Sequence, residues 1–184
     1  VAFNAYAEHL QALGPGLWLV RLVMLAALTV HVTMTVWLKL INRAAGGVSR
    51  YAVAVRRADR GMGTRTMIYT GVAVACFLVL HIHDFTLADK AGARSLVGGE
   101  SLGLYGVVFN GFASPVRALL YTCAVWAVGL HFSHVISSIW VTAGVLSGRA
   151  TAAAEKTALA AGLLVALGFT SIPVFVLVKT HLLS

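Results

Sequence analysis

The chain is poor in acid and in charge of any kind: among 184 residues there are 6 Asp plus Glu against 14 Lys plus Arg, and charged residues make up 11% of the whole. A water-soluble domain carries about 25% charged side chains. At less than half that density most of the chain must face lipid or buried protein, which excludes a soluble multidomain enzyme and a disordered chain. Cysteine is nearly absent. Cys76 and Cys123 both fall inside apolar runs, so a secreted disulfide scaffold is excluded too. No short apolar core with a small-residue cleavage site is visible, so no secretory signal is expected. Internal repeats, low-complexity tracts and soluble-domain boundaries are also lacking, and a single membrane domain over 1–184 is expected.

What the chain has instead is apolar length: 59% hydrophobic residues and a mean hydropathy of +0.87. About 30 Å of hydrocarbon takes about 20 helical residues at 1.5 Å each. Four runs qualify, at about 17–41, 67–87, 116–146 and 158–178, and they predict an all-α integral membrane helical bundle. Gly14-Pro15-Gly16 marks the start of the first. Residues 1–13 are too short to cross and mix Phe3, Tyr6 and Leu10 with Glu8 and His9, which predicts an interfacial segment. The loop 88–115, with Gly98, Gly99, Gly103, Gly106 and Gly111 among apolar residues, predicts a short helix on the membrane surface.

Lys and Arg collect in cytoplasmic loops. Lys39, Arg43, Arg50, Arg56, Arg57, Arg60 and Arg65 border the loop between spans one and two, and Arg149 and Lys156 lie between spans three and four. The loop 88–115, with Asp89, Lys90, Arg94 and Glu100, is nearly neutral. Span one therefore runs from outside to inside, and both ends of the chain are expected outside. The net charge of +8 is a topology signal, because no aromatic-interleaved basic patch accompanies it and nucleic acid is not expected as a partner. The basic face suits a soluble partner or anionic lipid headgroups.

Ionisable side chains within a bilayer are costly, and histidines there are functional candidates by default. His31 lies mid-span with Ala26, Ala27, Thr29, Thr33 and Thr35 around it; His131, with His134, lies in the middle of span three; His81 lies late in span two. Neutral imidazole ligates haem iron axially, and two imidazoles on different helices can hold a porphyrin between them. Each histidine can equally satisfy itself on a neighbouring hydroxyl or carbonyl. His31 lies ten residues before Ile41, and His131 and His134 fifteen and twelve before Leu146, so these share the inner half of the membrane. His81 lies farther out. His83 and Asp84 fall near the outer boundary.

The segments Phe3-Asn4-Ala5-Tyr6-Ala7-Glu8, Leu13-Gly14-Pro15, Thr64-Arg65-Thr66-Met67-Ile68-Tyr69-Thr70-Gly71, His81-Ile82-His83-Asp84-Phe85 and Gly129-Leu130-His131-Phe132-Ser133-His134 together resemble the membrane-anchor cytochrome b subunit of bacterial succinate dehydrogenase and fumarate reductase. The likeness covers nearly the whole chain. It implies five spans, of which this sequence shows four and is expected to begin after the first, and four axial histidines on two b haems. By the resemblance His31 and His131 hold the proximal haem and His81 the distal one, with flavoprotein and iron-sulfur subunits on the cytoplasmic face of a bacterial inner membrane. Val135 stands where relatives carry a glycine beside the porphyrin, and Gly129 where some carry a proton-transferring glutamate.

The function expected is transfer of electrons from the iron-sulfur subunit to a membrane quinone, menaquinone by expectation, with the dicarboxylate chemistry left to partner subunits. Thr64, Arg65 and Tyr69 offer a hydrogen-bond donor and a cation beside an apolar slot, which suits an inner quinone site; Arg65 also reads as a plain cytoplasmic anchor. His83, Asp84 and Glu8 form an alternative outer site. Cys76 and Cys123 with two histidines hold the inventory of a Rieske-type [2Fe-2S] cluster, although they sit about 18 Å apart in depth at 1.5 Å per residue, and both also read as packed apolar side chains. A proton channel or transporter with a histidine relay is the rival from another class, disfavoured by the lack of broken-helix or carboxylate signals within the spans.

Overall fold

A computed structural model describes residues 2–45, 62–144 and 149–182, without the side chains of 45, 62–65, 141–142 and 149–151. Six α-helices occur among them, with almost no sheet. They are α1 (Ala2–Gln11), α2 (Pro15–Ala45), α3 (Met62–His81), α4 (Gly103–Phe112), α5 (Pro115–Thr142) and α6 (Arg149–His181). Four of these helices carry stretches long and apolar enough to cross a membrane, at Pro15–Ala44, Thr66–Thr86, Pro115–Trp140 and Ala152–His181. The fold is the expected all-α membrane class.

The span limits differ from the hydropathy runs at their ends. Ala152-Ala153-Ala154 with Glu155 and Lys156 continues α6 well before the apolar run, because alanine and both charged residues are good helix formers whether or not lipid surrounds them. The third run reads to Leu146, but α5 ends at Thr142 and is followed by Gly144 at φ +70; residues 145–148 lie outside the described residues, as does most of the basic loop. Pro15 and Pro115 open their helices at first-turn positions, where a missing N–H costs nothing.

The chain forms two compact units, residues 1–61 and 62–184. In the first, α1 ends in a turn at Gly14, whose φ of +51 suits glycine, and α2 follows at once. Phe3, Tyr6 and Leu10 lie on α1. In the second, α5 packs along α6 and also along α3.

The α5–α6 contact depends on small residues. Gly129 of α5 faces Gly162 of α6: a Cβ on Gly129 would sit 2.6 Å from the Gly162 carbonyl oxygen and 2.9 Å from Ala166 Cβ. Ala158, Gly162 and Ala166 are all buried at four-residue spacing, opposite Val125, Gly129 and Ser133. In lipid, where no hydrophobic drive brings helices together, such close backbone approach supplies the packing energy. The outward faces stay apolar and exposed, as at Leu119, Leu164 and Phe169.

The loop 88–115 is more organised than a lone surface helix. A 3₁₀ turn (Ala93–Ser95) leads into two antiparallel two-residue strands, β1 (Leu96–Val97) and β2 (Glu100–Ser101), joined by Gly98 and Gly99, both at positive φ. Asn110 of α4 donates from Nδ2 to the carbonyls of Arg94 (2.9 Å) and Leu96 (2.8 Å). A Cβ on Gly106 would overlap the Ser95 carbonyl, so glycine alone lets α4 lie on the turn. This cap closes over the end of the unit where α3 ends, α5 begins and α6 ends; there His181 Nε2 meets the Ala113 carbonyl oxygen at 3.1 Å.

Candidate functional site

The histidines and polar residues of the second unit gather in two clusters on α3 and α5. The first is at the end away from the cap. Thr66 and Thr70 lie one turn apart on α3, and His131 and His134 one turn apart on α5, so both pairs occupy single helix faces. Thr70 Oγ1 lies 3.2 Å from His131 Nδ1. Thr66 Oγ1 lies 3.3 Å from His134 Nε2. The Thr70 hydroxyl also points back to the carbonyls of Thr66 (3.2 Å) and Met67 (3.1 Å). Gly71 adjoins the His131 ring, since a Cβ there would stand 3.4 Å from Cε1 and 3.9 Å from Nδ1. At this level of the α3–α5 seam an imidazole meets threonine and glycine, whereas nearer the cap Phe77 meets Tyr121.

The second cluster lies under the cap. A single π-helical turn, Ile82–Thr86, follows α3, closed by the Leu87 N–H on the Ile82 carbonyl at 2.9 Å. Such turns recur at functional sites because the extra residue re-aims its neighbours. Here Asp84 and Phe85 are both directed inward. Asp84, 1% exposed, accepts a hydrogen bond from Tyr121 Oη at 3.1 Å, with Arg117 Nε 3.6 Å from the same oxygen and His83 Nδ1 3.3 Å from the other. A buried carboxylate survives only with partners of this kind. Tyr121 packs edge-on against Phe85 (5.5 Å) and Phe112 (5.1 Å), those two rings are tilted at 5.6 Å, and the His81 ring lies against Phe77 (5.6 Å), Phe85 (5.5 Å) and Tyr121 (6.4 Å). Arg94 places a buried Nη2, without a hydrogen-bond partner among the described residues, near Gly111.

Of the residues singled out in the sequence, His131 and His134 come together with α3, and His81, His83 and Asp84 come together under the cap. The two groups are about 16 Å apart along α3, at 1.5 Å for each of the eleven residues from Thr70 to His81. Tyr69 is 77% exposed on the outside of α3, while the side chains of Thr64 and Arg65 lie outside the described residues. Cys76 and Cys123 are exposed, unbonded thiols on apolar faces. Among the described residues no three His, Cys, Asp or Glu side chains converge as a metal-binding group. His31 and Glu8 belong to the first unit, where the His31 carbonyl accepts from Thr35 Oγ1 at 2.7 Å.

Thr70, Gly71, Tyr121, Arg117 and Arg94 escaped the sequence reading of the site. Thr70 and Gly71 stood in a quoted motif but carried no charge to mark them. Tyr121 lies 37 residues from Asp84, and no local pattern links the two. Comparison of the chain with family models, with curated proteins and with solved structures found no match.

Proposed function

We propose that the chain is the membrane anchor of a bacterial succinate:quinone oxidoreductase, passing electrons from a cytoplasmic iron-sulfur subunit to a quinone in the bilayer, with both of its ends on the outer side. The observation that carries the reading is the His131 setting. An imidazole at mid-span, hydrogen-bonded on one nitrogen by Thr70 and given room by Gly71, is a costly arrangement that apolar packing would not need. An imidazole is also the side chain that commonly ligates b-type haem axially, and no Cβ projects from Gly71 toward its ring.

The residues that would hold the proximal haem are His131 and, by the resemblance, His31; His81 is assigned to a distal one. Bound haem would supply a one-electron store between the iron-sulfur centre and the quinone. Everything else falls to the chain's own residues: α5 and α6 exclude water through their close contact, and Thr64, Arg65 and Tyr69 are assigned to the quinone carbonyl at the opposite end from the cap. Replacing His131 by Ala in the assembled complex should abolish succinate-dependent quinone reduction, while oxidation of succinate by a soluble artificial acceptor persists. Undiminished quinone reduction in that variant, or purification of the chain without flavoprotein and iron-sulfur partners, would contradict the proposal.

One observation favours a second reading, a proton relay: Asp84, inside the limits of an apolar span, links exposed His83 to buried Tyr121. Proton flux through vesicles holding the chain alone, lost on Asp84→Asn, would support it.

A further inference from the structure

We propose that α6 is hinged at 168–173, so that its last turns and the cap move together against the rest of the second unit and uncover Tyr121 and Asp84. The helix runs unbroken from Arg149 to His181 with Pro173 inside it. Proline has no N–H to give to the carbonyl four residues back. The Phe169 carbonyl therefore loses its helical partner, and the proline ring crowds the same oxygen. Within a membrane a carbonyl freed in this way needs a neighbouring hydroxyl or an ordered water. The adjacent Thr170 does not serve it, because its Oγ1 is buried and has no hydrogen-bond partner among the described residues. Ser171 Oγ donates to the Gly168 carbonyl at 2.6 Å, where it competes with the helical bond that this carbonyl accepts, and such back-bonding bends helices. A freed carbonyl, an idle hydroxyl and a shared acceptor within six residues make this step of α6 cheap to bend.

The step lies between two firm attachments. Before it, Gly162 and Ala166 lie against Gly129 of α5. After it, Val176, 4% exposed, packs in one cluster with Phe85, Val107, Phe112 and Tyr121. His181 Nε2 meets the Ala113 carbonyl oxygen at 3.1 Å, and Lys179 Nζ lies 5.9 Å over the Phe109 ring. The end of α6 is thus fastened to α4 and to the turn that follows it, and a bend at Pro173 carries them along. Val176 then withdraws from the Tyr121 cluster, and water reaches the Tyr121 hydroxyl and the Asp84 carboxylate that it holds at 3.1 Å.

Amide hydrogen exchange in the purified full chain tests the hinge without a buried thiol. The amides of 174–177, whose bonds span the step, should exchange at least about tenfold faster than those of 163–166, as expected where one helical bond is missing and another is shared. Pro173→Ala restores the missing donor and should abolish the difference, whereas simple fraying toward the end of α6 would survive it. Equal rates in the unaltered chain, or a difference that persists in Pro173→Ala, overturn the hinge. The uncovering is read by thiol chemistry. With Cys76 and Cys123 replaced by alanine, Val176→Cys should react with N-ethylmaleimide, and adding Pro173→Ala should slow the reaction about 3- to 10-fold, the worth of one restored backbone hydrogen bond. Ala118→Cys, on the α5 wall of the same cluster, takes its place if Val176→Cys does not fold. No reaction, or a rate that Pro173→Ala leaves unchanged, overturns the uncovering of Tyr121.

Discussion

Asp84 is a carboxylate 1% exposed at the end of an apolar span. Its hydrogen bond from Tyr121 is of the charged kind, for which the net contribution is about 1.5–3 kcal/mol. Tyr121→Phe keeps the ring contacts with Phe77, Phe85 and Phe112 and removes only the hydroxyl. It should therefore lower unfolding stability by about that amount in a detergent denaturation series; an unchanged midpoint would mean that Arg117 and His83 satisfy the carboxylate alone. Both residues of this bond illustrate what the sequence makes legible. Asp84 stands out because carboxylates are rare in apolar runs, whereas Tyr121 is one aromatic among many until the π-turn swings Asp84 toward α5. Thr70 is hidden in the same way, since a threonine in an apolar helix ordinarily bonds back to its own carbonyls, as this one also does.

Among the described elements, the contact between α5 and α6 is the most extensive. Four-residue spacing of Ala158, Gly162 and Ala166, and of Val125, Gly129 and Ser133, is visible in the chain. Glycine at 129 invites a reading by what it lacks, a proton-carrying carboxylate, but its place opposite Gly162 gives it a packing role. Gly129→Ala should cost about 1–3 kcal/mol through overpacking, read as a lower midpoint in unfolding from mild detergent into dodecyl sulfate. Gly168→Ala, with no atom within 4 Å of the added Cβ, is the matched control and should be neutral or slightly stabilising. Equal effects at the two sites would show that the helices do not approach at Gly129. The spans were legible because apolar runs of about 20 residues have few alternative fates. The 3₁₀ turn and the two-residue strands were not, because two residues carry no alternation, although Gly98-Gly99 is a hairpin signal in itself.

For the molecule as a whole, charge asymmetry and helix direction make one joint statement. Within the second unit the end of α3, the start of α5 and the end of α6 lie beside one cap, so consecutive loops must alternate sides. With Cys76 and Cys123 replaced by alanine, Ser101→Cys should react with an impermeant maleimide from the outside of intact cells. Glu155→Cys should react only after the membrane is opened; labelling of both from one side would refute the topology.

The most direct test of the central claim is the reduced-minus-oxidised visible spectrum of the purified chain with its partner subunits, in wild type and in the His31→Ala, His131→Ala double variant. The account predicts a b-type alpha band in the wild type that is lost or reduced to a distal remnant in the variant. A wild type without the band, or a double variant that keeps it whole, would contradict it.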